Sequence, residues 1–195
     1  LDITQDGQNN TVGSSGTASS VIGATTNLAI TQVGSNNVMT FDVNGATYTG
    51  TYSVTGNSNN IDFNCDSGGS NSSCGTATAS IVWVGSSNDI DIDIGETSSA
   101  TSATVGITGA SGSDSNVILG TIDGNSAILT LSVNGDTNNF LVDIDGNGDS
   151  VGHTYIHTHT GSIADVDITQ SGIYDNMVTL TTVGDNHDID ITQTD

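Results

Sequence analysis

The sequence contains no lysine, no arginine and no proline, and only two of its 195 residues are cysteines. Four histidines are the only side chains able to carry a positive charge against 22 aspartates and glutamates, so the formal net charge is -22. Nucleic acid is excluded as a partner, because phosphate contacts rely on lysine and arginine. The carboxylates must therefore be kept apart, solvated, or neutralised by metal ions or salt.

Long apolar runs are also missing. The apolar fraction is 33%, and no stretch approaches the ~18 residues of a membrane-spanning helix. We expect no membrane insertion. No signal peptide is visible. A start at Leu1 without methionine is expected of a processed, exported product, and equally of a chain trimmed at its start; the first of these predicts an extracellular location. No linker divides the chain, so residues 1–195 are expected to form a single domain.

Short alternating segments, separated by turns rich in glycine and asparagine, run through the whole chain. Val166, Ile168 and Gln170 share one parity before a turn that begins at Gly172, and alternation resumes at Val178. Period-two alternation interrupted by a turn predicts strand, arc and strand. The abundance of glycine and β-branched residues disfavours helices. The sequence therefore predicts an all-β protein.

This strand–arc–strand unit recurs about every 25 residues, a period typical of solenoids. The leading turns are expected at Gly7, Gly34, Gly56, Gly85, Gly109, Gly135, Gly161 and Gly184. A second set of turns lies between them, so each repeat has two strands and two arcs. We expect a β-solenoid of about eight two-stranded coils with a thin core between two facing sheets. Since side chains alternate between the two faces of a strand, the positions of Tyr155, His157 and His159, and those of Val117 and Leu119, are predicted to face the core.

Several units share the pattern Ile-x-Gln-x-Gly-x-x-Asn. They are Ile3/Gln5/Gly7/Asn10, Ile30/Gln32/Gly34/Asn37, Ile168/Gln170/Gly172/Asn176 with one extra residue, and a truncated Ile191/Gln193. The pattern resembles the curlin repeat. The middle repeats keep Gly and Asn, as at Gly135/Asn139, but replace Gln with Trp83 and Val133. The resemblance implies a curlin-like β-solenoid, the exported subunit of an extracellular functional amyloid that stacks end to end in biofilm fibres.

Glutamines in register on stacked coils can hydrogen-bond along the axis, so that each amide is satisfied by its neighbour in a dry core. Surface positions on an ordinary β protein are the alternative. The first and last segments, Leu1 to Gln5 and Asp188 to Gln193, present matching Ile and Gln positions, and an exposed strand edge is a template for pairing. The predicted ladder and polymer residues are Ile3, Gln5, Gln32, Gln170, Ile191 and Gln193. The predicted partner is a second copy of the chain, added head to tail.

Cys65 and Cys74 are separated by a short loop rich in glycine and serine. Outside the cell such a pair is expected to form a disulfide, with two free thiols as the alternative.

Asp143, Asp145, Asn147 and Asp149 fit the first half of a calcium loop, but position 12 is Thr154 instead of the closing glutamate. An acidic strand followed by a turn is the alternative. Calcium is the one cofactor that this pattern suggests. His153, His157 and His159 share parity on one strand, where a core role is favoured over a zinc site.

No nucleophile elbow, phosphate loop or dinucleotide motif occurs in the sequence, so no enzymatic activity is expected. The sequence favours a structural subunit of an extracellular filament. A receptor- or glycan-binding β-solenoid of an adhesin or phage fibre is the alternative. A polysaccharide-cleaving β-helix is disfavoured, because acidic sugars call for cationic side chains and the chain has no lysine or arginine.

Overall fold

The computed structural model describes residues 1–7, 10, 12–13, 19–22, 24–34, 36–56, 58–65, 74–85, 89–95, 102–110, 117–123, 126–136, 138–145, 153–172 and 176–194. Every strand pairing among these residues is parallel. This part of the chain contains no helix long and apolar enough to cross a membrane.

The described residues form 15 strands. They are β1 (Asp2–Asp6), β2 (Ser19–Ile22), β3 (Thr25–Val33), β4 (Val38–Thr55), β5 (Asn60–Cys65), β6 (Cys74–Val84), β7 (Asp89–Ile94), β8 (Ser102–Gly109), β9 (Val117–Asp123), β10 (Ile128–Asn134), β11 (Asn138–Asp145), β12 (His153–Thr160), β13 (Ala164–Ser171), β14 (Asn176–Val183) and β15 (Asp188–Thr194).

Successive strands alternate between two parallel sheets. The first sheet consists of β1, β3, the second half of β4, β6, β8, β10, β12 and β14. The second sheet consists of β2, the first half of β4, β5, β7, β9, β11, β13 and β15. Arcs such as the one from Val33 to Val38 are too short to hold a helix, so the chain returns along the opposite sheet. The prediction of an all-β solenoid is confirmed.

The core lies between the sheets and is built from stacked columns of like residues. Ile61, Ile90 and Ile118 lie in register on neighbouring coils of the second sheet, and all three are fully buried. Across the core, the ring of Tyr48 in the first sheet stacks on Phe63 of the second with centroids 5.3 Å apart. The core is therefore only two side chains thick, and each coil packs mainly on its neighbours along the axis.

Gly109 and Val117 differ from the sequence-based prediction. Gly109 is predicted to lead an arc, but it is the last residue of β8, in register with Trp83, and a Cβ atom at this position would overlap the indole ring. Val117 was expected to face inward, but it is 37% exposed, and Ile118 is the buried residue. Residues 117–119 are all apolar, so their sequence does not show which of them face the core. Ile118 faces the core because it is in register with the buried Phe140 on the next coil.

The arcs depend on glycine and asparagine. The backbone at Gly161 has φ +146°, and a Cβ atom there would overlap the carbonyl of Gly135 on the preceding coil. An asparagine three residues after the glycine closes the arc: Asn138 Nδ2 donates to the Gly135 carbonyl at 2.9 Å, and Asn59 repeats the bond to Gly56 at 3.2 Å. The repeat pattern in the sequence pairs Gly135 with Asn139, but the residue that closes this arc is Asn138.

Candidate assembly interface

A pair of amides lies at the first end of the solenoid. Gln5 in β1 and Gln32 in β3 are in register, and Gln32 Nε2 donates to Gln5 Oε1 at 2.8 Å. Gln32 Nε2 also approaches the Val38 carbonyl at 3.3 Å, and the Gln32 side chain is fully buried. The next residue in this column is Val54, so the amide pair ends there.

A second pair lies at the other end, in the other sheet. Gln193 in β15 is in register with Gln170 in β13, and Gln193 Nε2 donates to Gln170 Oε1 at 2.9 Å. Gln170 is fully buried, and the residue before it in the column is Ile144. In both pairs the later coil donates to the earlier coil. The two pairs therefore share one polarity but lie in opposite sheets and at opposite ends.

The last coil, formed by β14 and β15, leaves part of the core open. Ile189 and Ile191 are 38% and 44% exposed, whereas their register neighbours Val166 and Ile168 are buried. Leu180 is only half-buried against the core. At the first end, Ile3 of β1 is half-buried in the same way. Both ends thus present apolar residues that continue the columns of the core.

Outward carboxylates are concentrated on the second sheet. They are Asp42, Asp62, Asp89, Asp91, Asp93, Asp123, Asp143, Asp145, Asp165, Asp167, Asp188 and Asp190. In the first sheet, the described strands from β3 onward carry mainly threonine, serine, asparagine and apolar residues outward and no aspartate; only β1 carries Asp2 and Asp6. The sequence composition did not reveal this segregation, because it depends on which strands share a sheet.

Burial and nearby carboxylates raise the affinity of two of these aspartates for protons. Burial, followed by the charges of Asp42 and Asp89 on the strands on either side, raises the pKa of Asp62. Burial and the neighbouring Asp145 likewise raise the pKa of Asp143. Hydroxyl and amide groups offset some of this charge: Ser171 Oγ donates to Asp145 Oδ1 at 2.9 Å.

The predicted calcium residues are only partly described. Asp143 and Asp145 face outward on β11, whereas Asn147 and Asp149 lie outside the described residues. Across the ranges that the structure covers, no group of three or more His, Cys, Asp or Glu side chains is arranged to hold a metal ion. Calcium binding at this loop stays a prediction.

The predicted disulfide is also only partly described. Cys65 ends β5, is fully buried and is not a free thiol. The backbone of Cys74 begins β6, but its side chain lies outside the described residues. The Cys65–Cys74 bridge therefore stays a prediction.

The histidines of β12 form a buried cluster near the last coil. His153, His157 and His159 are fully buried, and Tyr155 Oη lies 3.0 Å from His157 Nδ1. Burial, and then the neighbouring His159, lowers the pKa of His157 to about 3. Burial and His187 also lower the pKa of His159, against a smaller opposing effect of Asp136. Neutral imidazoles here pack on aromatic rings, as Phe140 does on His157 at 4.4 Å between centroids.

Three features can support growth along the axis: open columns at both ends, amide pairs of one polarity and, among the described residues, outward carboxylates concentrated on the second sheet. No family model, curated protein or solved structure matches the chain.

Proposed function

We propose that this chain is the structural subunit of an extracellular filament, a curlin-like solenoid of about eight coils that polymerises head to tail through its end strands. The observation that carries the proposal is the state of the last coil. Ile189 and Ile191 continue buried columns of the core and yet remain 38% and 44% exposed. A second copy seated on β14 and β15 would cover them.

The energetic gain from such a contact is substantial. Burying an isoleucine side chain contributes about 1.5–3 kcal/mol, and each end offers several apolar groups. Backbone N–H and C=O groups at an open edge of β15 would gain strand partners at the same time. Since the two ends differ, the contact is heterologous and does not close on itself, so it generates an open filament.

The dimensions of the filament follow from strand spacing. Each sheet of the described chain contains eight stacked strand segments, counting the two halves of β4 separately. This number supports about eight coils per subunit. At about 4.8 Å per coil, the expected subunit repeat along the filament is about 38 Å.

Electron microscopy of the purified chain tests the proposal. Replacing Ile191 with Pro and Gln193 with Lys should stop elongation while leaving the earlier coils folded, because both changes lie in the last strand. Thr108→Lys is the matched control: it adds one positive charge to an exposed position in the middle of the solenoid, and its filaments should be normal. Normal filaments from the β15 variant, or a stable monomer of the unaltered chain at high concentration, would contradict the proposal.

A glycan-binding solenoid of an adhesin or phage fibre is the second candidate. One observation favours it, a groove on the outward side of the second sheet. Its lining includes Asp91, Asp93, Thr121, Leu141, Asp143 and Thr169. Carboxylates and hydroxyls beside the half-exposed Leu141 suit a sugar ring and its hydroxyl groups. Binding of the monomeric chain on a glycan array, lost in Asp143→Ala, would favour this candidate over the filament.

A further inference from the structure

The two ends of the solenoid do not match if subunits are stacked by translation alone. Extending the register of the first sheet places β1 of the next subunit against β14, so that Gln5 meets Thr182. Extending the second sheet places Gln193 in register with position 21 of the next subunit, a valine. Each terminal glutamine would then face a residue that is not an amide.

The strand that matches β1 is β15, in the other sheet. Asp2-Ile3-Thr4-Gln5 and Asp190-Ile191-Thr192-Gln193 are identical over four successive residues. The chain runs out along one sheet and back along the other, so a half-turn about the solenoid axis superposes the strand direction of the first sheet on that of the second. After such a rotation, β1 can add to β15 as a parallel strand with isoleucine on isoleucine and glutamine on glutamine.

We propose that successive subunits are related by a half-turn about the axis, with β1 of one subunit paired to β15 of the subunit before it. This inference rests on the proposed head-to-tail filament and specifies its joint. The amide pairs support it through their polarity. Gln193 donates to Gln170, and Gln32 donates to Gln5. If Gln5 of the added subunit donates to Gln193, two separate pairs become one ladder of four amides with a single direction.

The apolar columns agree with this joint. Ile3 of the added subunit would cover Ile191, which is 44% exposed, and Leu1, which is 68% exposed, would lie against Ile189. The unfavourable contact is that between Asp2 and Asp190. The second sheet already holds such contacts, because Asp167 and Asp190 are in register within the subunit. The joint therefore continues the chemistry of the second sheet, including its carboxylates.

Cysteine cross-linking distinguishes the two joints. Neighbouring strands lie about 4.7–4.9 Å apart, within the Cα separation of about 4.4–6.8 Å that a disulfide requires. Thr4, Thr192 and Thr181 all point outward and are exposed. Thr4→Cys with Thr192→Cys should cross-link into a long ladder on a non-reducing gel after oxidation of the filaments. Thr4→Cys with Thr181→Cys reports the unrotated joint and should remain monomeric.

The outcomes separate the joint from the filament. Cross-linking of the Thr181 pair but not the Thr192 pair overturns the half-turn and leaves head-to-tail assembly intact. Filaments in which neither pair cross-links also overturn the half-turn. If the unaltered chain forms no filaments by electron microscopy, the proposed function itself fails. Mixing a Thr4→Cys chain with a Thr192→Cys chain is the internal control, since it should give covalent dimers and nothing larger.

Discussion

Trp83 occupies the space that a side chain on Gly109 would need, one coil further along the same column. The flanking members of this column are Val54 and Val133. A large residue followed by a residue without a side chain keeps the column filled at constant spacing between coils.

Gly109→Ala should therefore destabilise the fold by about 1–3 kcal/mol, because the indole ring must shift out of a packed core. The matched control is Gly106→Ala in the same strand, where a Cβ atom meets open space and the change should be neutral or stabilise by about 0.4–1 kcal/mol. Urea unfolding measures both. The double variant Trp83→Val/Gly109→Val should recover part of the loss by making the column valine throughout. Equal stability of the two alanine variants would contradict this packing.

The Gln5–Gln32 pair should behave as a unit. Gln5→Leu alone removes the acceptor of the 2.8 Å hydrogen bond from the fully buried Gln32 and should cost about 1–3 kcal/mol. Gln5→Leu/Gln32→Leu together should be close to neutral for the subunit, because both partners of the hydrogen bond are removed. A double-mutant cycle by chemical unfolding gives the coupling energy. Additive single effects would show that the amides do not depend on each other.

Stability should fall as the pH drops below about 6.5. Between about pH 6.5 and about pH 3, the unfolded chain binds a proton at His157 that the folded chain does not, because the folded pKa is lowered to about 3. The expected loss is about 2 kcal/mol by about pH 5. The raised pKa values of Asp62 and Asp143 act in the opposite direction, since the folded state is stabilised as those groups take up protons at lower pH.

His157→Leu is the test of this pH dependence. The register neighbours of His157 are Leu131 and Leu180, so leucine continues an existing column. The variant should lose less stability between neutral and acidic pH, with a remainder due to His159. Thr158→Ala, an exposed neighbour on the same strand, should retain the full pH dependence. Identical pH profiles for the unaltered chain and His157→Leu would exclude the histidine as the cause.

Assembly should depend on ionic strength and on divalent cations, because filament growth brings further carboxylates into register on the second sheet. Asp190→Asn should accelerate filament growth at low salt and weaken its salt dependence, and Asp89→Asn, far from the end strand, should do so less. Light scattering with added sodium chloride, calcium or chelator measures the rates. Growth rates that are indifferent to salt and to chelator would contradict the role of charge.

Cys65 and Cys74 should be bridged in the native protein. Mass spectrometry after alkylation without reductant should show no modified thiol, and reduction should cost about 2–4 kcal/mol in chemical unfolding. Two alkylated cysteines in the folded chain would contradict the bridge. Cys65→Ala/Cys74→Ala serves as the control, since reductant should then leave its stability unchanged.

Much of this fold could be predicted from the sequence, because alternation is unambiguous wherever polar residues separate the apolar ones. Tyr155, His157 and His159 were placed inward on this basis and are buried. Alternation fails at Val117, because residues 117–119 are all apolar and do not show which of them face the core. The next buried position, Gly120, is a glycine and gives no apolar signal.

The relation between the two ends follows from counting strands along the whole chain. That Gln5 and Gln193 lie in different sheets depends on the number of strands between them, and a local pattern does not contain that number. The segregation of the carboxylates has the same origin. Both features are properties of the topology, and the residues involved look alike in the sequence.

A core two side chains thick makes the solenoid behave as a one-dimensional chain of coupled units, in which each coil is held by the coil on either side. In a subunit outside a filament, the first and last coils have one neighbour instead of two, so their amide protons should exchange fastest, and protection should rise toward the Trp83 coil. A destabilising substitution should also act locally, since it lowers the stability of the adjacent coils more than that of distant ones. Thermal unfolding should therefore begin at the terminal coils and proceed toward the middle of the solenoid.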